Sequence, residues 1–112
     1  MLRTEISKEM AEDPWFKTVD MLQHNWAVVM QEKSSILVVF YSDTCGVFDE
    51  LRFNSSDEAA DALRRNGFRK YKEDERSQGF ITLPQGDFEI REHPNGRIYS
   101  SGRFWRSMQS DF

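Results

Sequence analysis

The sequence predicts a mixed α+β domain: two helices packed on a mainly antiparallel sheet of about six strands, in the order α-β-β-β-α-(β)-β-β-β. Three observations predict it. Trp26–Met30 and Ile36–Tyr41 are apolar at nearly every position and are separated by a polar turn at 31–35, the pattern of strands buried on both faces. Ser55 followed by Glu58 is a capping box, which opens a helix. Pro84-Gln85-Gly86 and Pro94-Asn95-Gly96 stand ten residues apart and punctuate alternating apolar and polar residues, which predicts a β-meander.

Taken in order, residues 1–12 form a charged lead-in, expected to be loosely ordered, within one domain spanning 1–112. Asp13-Pro14 has the form of an N-cap followed by proline at the first helical position. Trp15, Val19, Leu22 and Trp26 then recur at spacings of four, three and four, so the first helix is placed here, lying on the sheet. Trp26–Met30 and Ile36–Tyr41 are the first two strands, and something must cover each of their faces. Asp43-Thr44-Cys45-Gly46 is a tight hairpin turn into a third strand, Val47–Phe53, with Val47, Leu51 and Phe53 on one face. The helix opened by Ser55 ends at Gly67, a natural residue for the position just past a helix. Its inner face, Ala59, Ala60 and Leu63, is small and permits close approach to a sheet. Phe68–Tyr71 is a short strand and 72–78 a charged loop. Phe80–Leu83, Asp87–Glu92 and Arg97–Ser101 complete the meander, with Phe88 and Ile90 facing the core and Glu89 and Arg91 facing away.

The 112 residues suffice for one core and no more. No apolar stretch approaches the roughly 18 residues of a membrane span, and Met1–Asp13 lacks the apolar centre of a signal peptide. No membrane association and a cytoplasmic location are expected. Cys45 is the only cysteine, which removes intrachain disulfides and multi-cysteine zinc sites. Formal net charge is -4 but uneven. Residues 1–60 hold five Lys/Arg against eleven Asp/Glu, and residues 61–112 hold ten against eight.

Catalytic chemistry finds little support in the pattern. Cys45, on a turn expected to expose it, is the one candidate nucleophile, and His24 or His93 would have to activate it. Neither histidine has a local signature that ties it to the cysteine. Asp43, Asp49 and Glu50 show no calcium-loop spacing; a carboxylate pair for acid and base work could be assembled from them, but strand carboxylates at this composition are usually solvated edges. No catalytic, cofactor or metal residues are assigned.

Binding fits more of the residues. The expectation is a small soluble non-enzymatic binding protein, acting as a homodimer or with a protein partner. Its contact surface would be the aromatic-arginine run Tyr99, Arg103, Phe104, Trp105 and Arg106, because such residues are enriched at interface cores. Two alternatives stand beside it. Arg64, Arg65, Arg69, Lys70, Lys72 and Arg76 cluster around the second helix end, while Arg91, Arg97, Arg103 and Arg106 interleave with aromatics, a composition that suits nucleic acid. Against that stand Glu73, Asp74 and Glu75 and a pI near 5.2. The other alternative is an apolar-ligand pocket between helix and sheet, lined by Trp15, Trp26, Phe40 and Phe88.

Overall fold

The structure is a computed structural model that describes residues 4–20 and 23–91. Its elements are α1 (Lys8–Ala11), β1 (Trp15–Asp20), β2 (Gln23–Gln31), β3 (Ile36–Ser42), β4 (Gly46–Phe53), α2 (Ser56–Arg65), β5 (Arg69–Lys70), a 3₁₀ turn (Tyr71–Glu73), α3 (Glu75–Gln78) and β6 (Glu89–Ile90). They form one six-stranded sheet in the order β5-β1-β2-β3-β4-β6. All pairings are antiparallel except β4 with β6.

β2, β3 and β4 form the centre, in a register that pairs Val28 with Val39 and Val38 with Leu51. Their continuous apolar runs are explained by cover on both faces. On one face Ala27, Val38, Phe40 and Phe53 pack under α2, which contributes Ala59, Ala62 and Leu63. On the other face Trp26, Val28, Val39 and Tyr41 pack under Tyr71 and Ile81. Ile6 and Met10, in the segment expected to be loosely ordered, add to that second cover. An irregularity in the β3–β4 register pairs Phe40 with Asp49 and Tyr41 with Val47. Phe48 is thereby an extra residue, and Val47 turns to the second face, away from Phe53 and Leu51 with which alternation had grouped it.

The segment after Pro14 is a strand and not a helix. The four-three-four spacing ignored Phe16, which a helix would turn toward water. In β1, Trp15 faces the α2 side and Phe16 the other, with exposures of 6% and 1%. Trp, Phe, Thr and Val also favour pleated structure over helix. Two-sided burial therefore overrides the cap signal.

Helix α2 follows its local signals. Ser55 Oγ accepts from the Glu58 N–H at 3.2 Å. At the other end Phe68 N–H donates to the Leu63 carbonyl at 2.9 Å and Gly67 N–H to the Arg64 carbonyl at 3.0 Å. This double closure requires a left-handed residue, and Gly67 supplies it at φ +88°. Phe68 then lands on Leu63 in the core, and the chain leaves in the direction of β1.

The region after α3 departs from a meander. Phe80–Leu83 forms no strand; Ile81 is buried and Phe80 is 74% exposed. Glu89–Ile90 pairs parallel with Gly46–Val47. Phe88 stacks edge-on against Tyr41 at 4.8 Å, whereas Ile90 is 46% exposed and not in the core. Arg97–Ser101 lies outside the described residues.

Candidate functional site

The last turn of α2, strand β5 and α3 enclose an open cleft of about 850 Å³. Its position follows from the Gly67 turn, which reverses the chain so that β5 pairs with the start of β1. Arg69 then opposes Phe16, and Lys70 opposes Trp15. Five cationic side chains line the cleft: Arg64, Arg69, Lys70, Lys72 and Arg76. Three carboxylates, Glu73, Asp74 and Glu75, share it, and Trp15 and Phe68 close its buried side.

The aromatic rings hold the cations in place. Arg64 and Lys70 both lie over the Trp15 ring, at 5.2 and 5.8 Å. Arg69 lies 5.6 Å from the centre of Phe16, and Lys17 lies 5.7 Å from that of Phe68. Each such contact contributes about 0.5–1 kcal/mol at a partly exposed site. Burial lowers the Lys17 pKa below the ordinary lysine value. Trp15 and Phe68 are nearly covered, so they orient cations and offer no open face on which a base could stack.

Not all the cleft charge is free. Asp74 accepts the Ser77 N–H at 3.0 Å, capping α3, and pairs with Arg69 at 3.3 Å. The backbone hydrogen bond from Ser77 is the main reason its carboxyl lies below the usual range, with Arg69 and Arg76 adding to it. Arg64 is 3.9 Å from Asp61, both well exposed. Lys70, Lys72 and Arg76 form no ion pair among the described residues. Three of the five cleft cations thus lack an ion pair among the described residues, although Arg76 acts on Asp74 at longer range and Lys70 lies over Trp15, while one of the three carboxylates is already engaged.

The cluster read from sequence thus converges in space except for Arg65, which does not line the cleft. Tyr99, Arg103, Phe104, Trp105 and Arg106 lie outside the described residues, as do Arg97 and His93. The four expected pocket residues do not share a cavity. Trp15 and Phe40 belong to one face of the sheet and Trp26 to the other, where Phe88 packs against the edge of the cluster at Tyr41. Trp26 and Phe40 are fully buried.

Cys45 is not the exposed turn thiol that its position suggested. It is fully buried at φ +64°, a left-handed conformation that costs a non-glycine residue about 1–2 kcal/mol. Burial raises its pKa, with Arg91 opposing that shift, so it is a protonated thiol and a poor nucleophile. His24 is held by Asp43 instead. Asp43 Oδ1 lies 3.4 Å from His24 Nδ1 and accepts the Trp26 indole N–H at 2.8 Å, while Oδ2 accepts the His24 backbone N–H at 2.9 Å. Asp49 accepts the Glu50 N–H at 2.9 Å. Among the described residues no group of three or more His, Cys, Asp or Glu side chains is placed to hold a metal ion, and no helix is long and apolar enough to cross a membrane.

Sequence reasoning passed over the role of Asp74. An aspartate three residues before Ser77 is a capping signal, hidden here within a charged run. Searches against protein-family models, curated proteins and solved structures return no match to this chain.

Proposed function

We propose that this chain is a small non-enzymatic binding protein that takes an acidic segment of a protein partner into the cleft between α2, β5 and α3. The observation that carries this reading is the convergence of five cations there, three of them without an ion pair among the described residues. An acidic peptide is favoured over nucleic acid because the rings beneath the cations are covered. The basic region is also local: a long polyanion would continue onto a chain whose net charge is -4. A cytoplasmic location fits this reading.

A homodimer formed through Tyr99, Arg103, Phe104, Trp105 and Arg106 remains a companion proposal. Both faces of the central strands are covered within the chain, so it rests on the composition of that run. Light scattering at micromolar concentration tests it, and a strict monomer would remove it.

The cleft is tested by fluorescence anisotropy with a labelled glutamate-rich peptide at 50 and 300 mM NaCl. Binding should weaken as salt rises, and Lys70→Glu with Arg76→Glu, which turns two attractions into two repulsions, should weaken it by about tenfold or more, about 1.4 kcal/mol. No binding at 50 mM, or equal binding by the double variant, would reject the reading.

A further inference from the structure

The chain just past α3, four residues beyond the cleft-lining Arg76, carries an exposed apolar residue. Helical hydrogen bonding continues past Gln78: Gly79 N–H donates to the Arg76 carbonyl at 3.3 Å, and Ile81 N–H to the Ser77 carbonyl at 2.7 Å. Residues four apart therefore share a side. Ser77 and Ile81 are the buried pair, at 6% and 7% exposure. Arg76 and Phe80, each one position earlier, are both exposed. Arg76 lines the cleft, and Phe80 is 74% exposed, the most exposed large apolar side chain among the described residues.

We infer that the cleft's partner is an acidic segment carrying one large apolar side chain, its carboxylates set against Lys70, Lys72 and Arg76 and its apolar group against Phe80. The inference rests on the proposed acidic-partner reading and adds the anchor. Charge complementarity selects the occupant of the cleft, and an exposed aromatic beside an arginine is the pairing from which interface hot spots are built. Charges alone at a solvated surface bring on-rate and little affinity, so a partner held there needs an apolar contact, and Phe80 is in place to supply it.

The test uses the full chain and three labelled probes: a glutamate-rich peptide with one central leucine, the same peptide with serine in its place, and an oligothymidine. The leucine peptide should bind about tenfold more tightly than the serine peptide, a difference of about 1.4 kcal/mol. Phe80→Ser should erase that difference, so that the two peptides bind the variant equally. Phe80 is exposed, so the variant should fold, which its circular dichroism checks. Equal affinity for the two peptides would overturn the anchor and leave the acidic-partner reading standing. Failure of both peptides to bind would overturn the reading itself, and oligothymidine binding more tightly than either would replace the partner class with nucleic acid.

Discussion

Replacing Asp43 with alanine should cost the fold about 2–3 kcal/mol. The carboxylate accepts the indole N–H of Trp26 at 2.8 Å and the backbone N–H of His24 at 2.9 Å, and it faces His24 Nδ1 at 3.4 Å. Trp26 is fully buried, so the truncation leaves its N–H without an acceptor, at a cost of about 1–3 kcal/mol. The His24 amide adds a smaller loss of about 1 kcal/mol. Water offsets part of both, because the Asp43 side chain is 37% exposed. Urea denaturation followed by tryptophan fluorescence and circular dichroism is the assay. With a slope of about 1.5 kcal/mol per molar, the midpoint should fall by roughly 1.3–2 M. A turn effect is separated by repeating Asp43→Ala in a Trp26→Phe background, where no indole N–H remains. The loss should then shrink by about 1 kcal/mol or more, as expected for residues in direct contact. An Asp43→Ala variant within about 0.5 kcal/mol of the parent, or equal losses in the two backgrounds, would refute the hydrogen-bond account.

Two further outcomes follow from the described geometry. Cys45, buried and with a raised pKa, should react with a thiol reagent at pH 8 at least about a hundredfold more slowly in the folded chain than in urea, since labelling must wait for opening; comparable rates would show that the turn is open. Asp74 titrates below the ordinary carboxylate value, so its contribution to α3 should be complete above pH about 4 and be lost as pH falls through the depressed value. The Ser77 amide proton, which it accepts, should report that transition in an NMR titration, and a midpoint at the ordinary aspartate value would count against the cap.

The central strands were legible because burial on both faces leaves a mark that survives in one dimension: Ile36–Tyr41 holds no polar side chain apart from the tyrosine hydroxyl. The capped ends of α2 were legible for a different reason, since Ser55 and Gly67 act on backbone groups within a few residues of themselves. Signals of that kind mislead when a distant surface competes with them. Asp13-Pro14 states a local preference for a helix start, but Phe16 gains burial only as a strand residue, and burying a phenylalanine contributes about 1.5–3 kcal/mol against about 1 kcal/mol for a cap. Gly86 does take a turn conformation, at φ +121°. Its flanks nevertheless fail to make a hairpin, because alternation in Asp87–Glu92 says that a strand forms and not which neighbour it finds; Glu89–Ile90 finds β4. The cleft was half visible on the same grounds. Its cations cluster in sequence near the end of α2, whereas Trp15, which clasps two of them, comes from a strand about fifty residues away.

An acidic protein with a basic cleft is not a contradiction, because the two charges act over different distances. At physiological ionic strength screening confines a charge's influence to about 8 Å. A carboxylate seated between Lys70 and Arg76 therefore responds to the five cations and three carboxylates around it far more than to the eleven acids of residues 1–60. At larger separations, and most of all at low salt, the net charge of -4 works against an approaching anion. Dilution of salt then has opposed effects on the encounter: it lengthens the reach of the cleft's cations and, equally, that of the net negative charge. Association of an acidic peptide should consequently gain less from low salt than it would on a chain of zero net charge. A long polyanion suffers the repulsion along its whole length while engaging only one short basic segment, which is the physical reason for assigning the cleft to a short acidic segment.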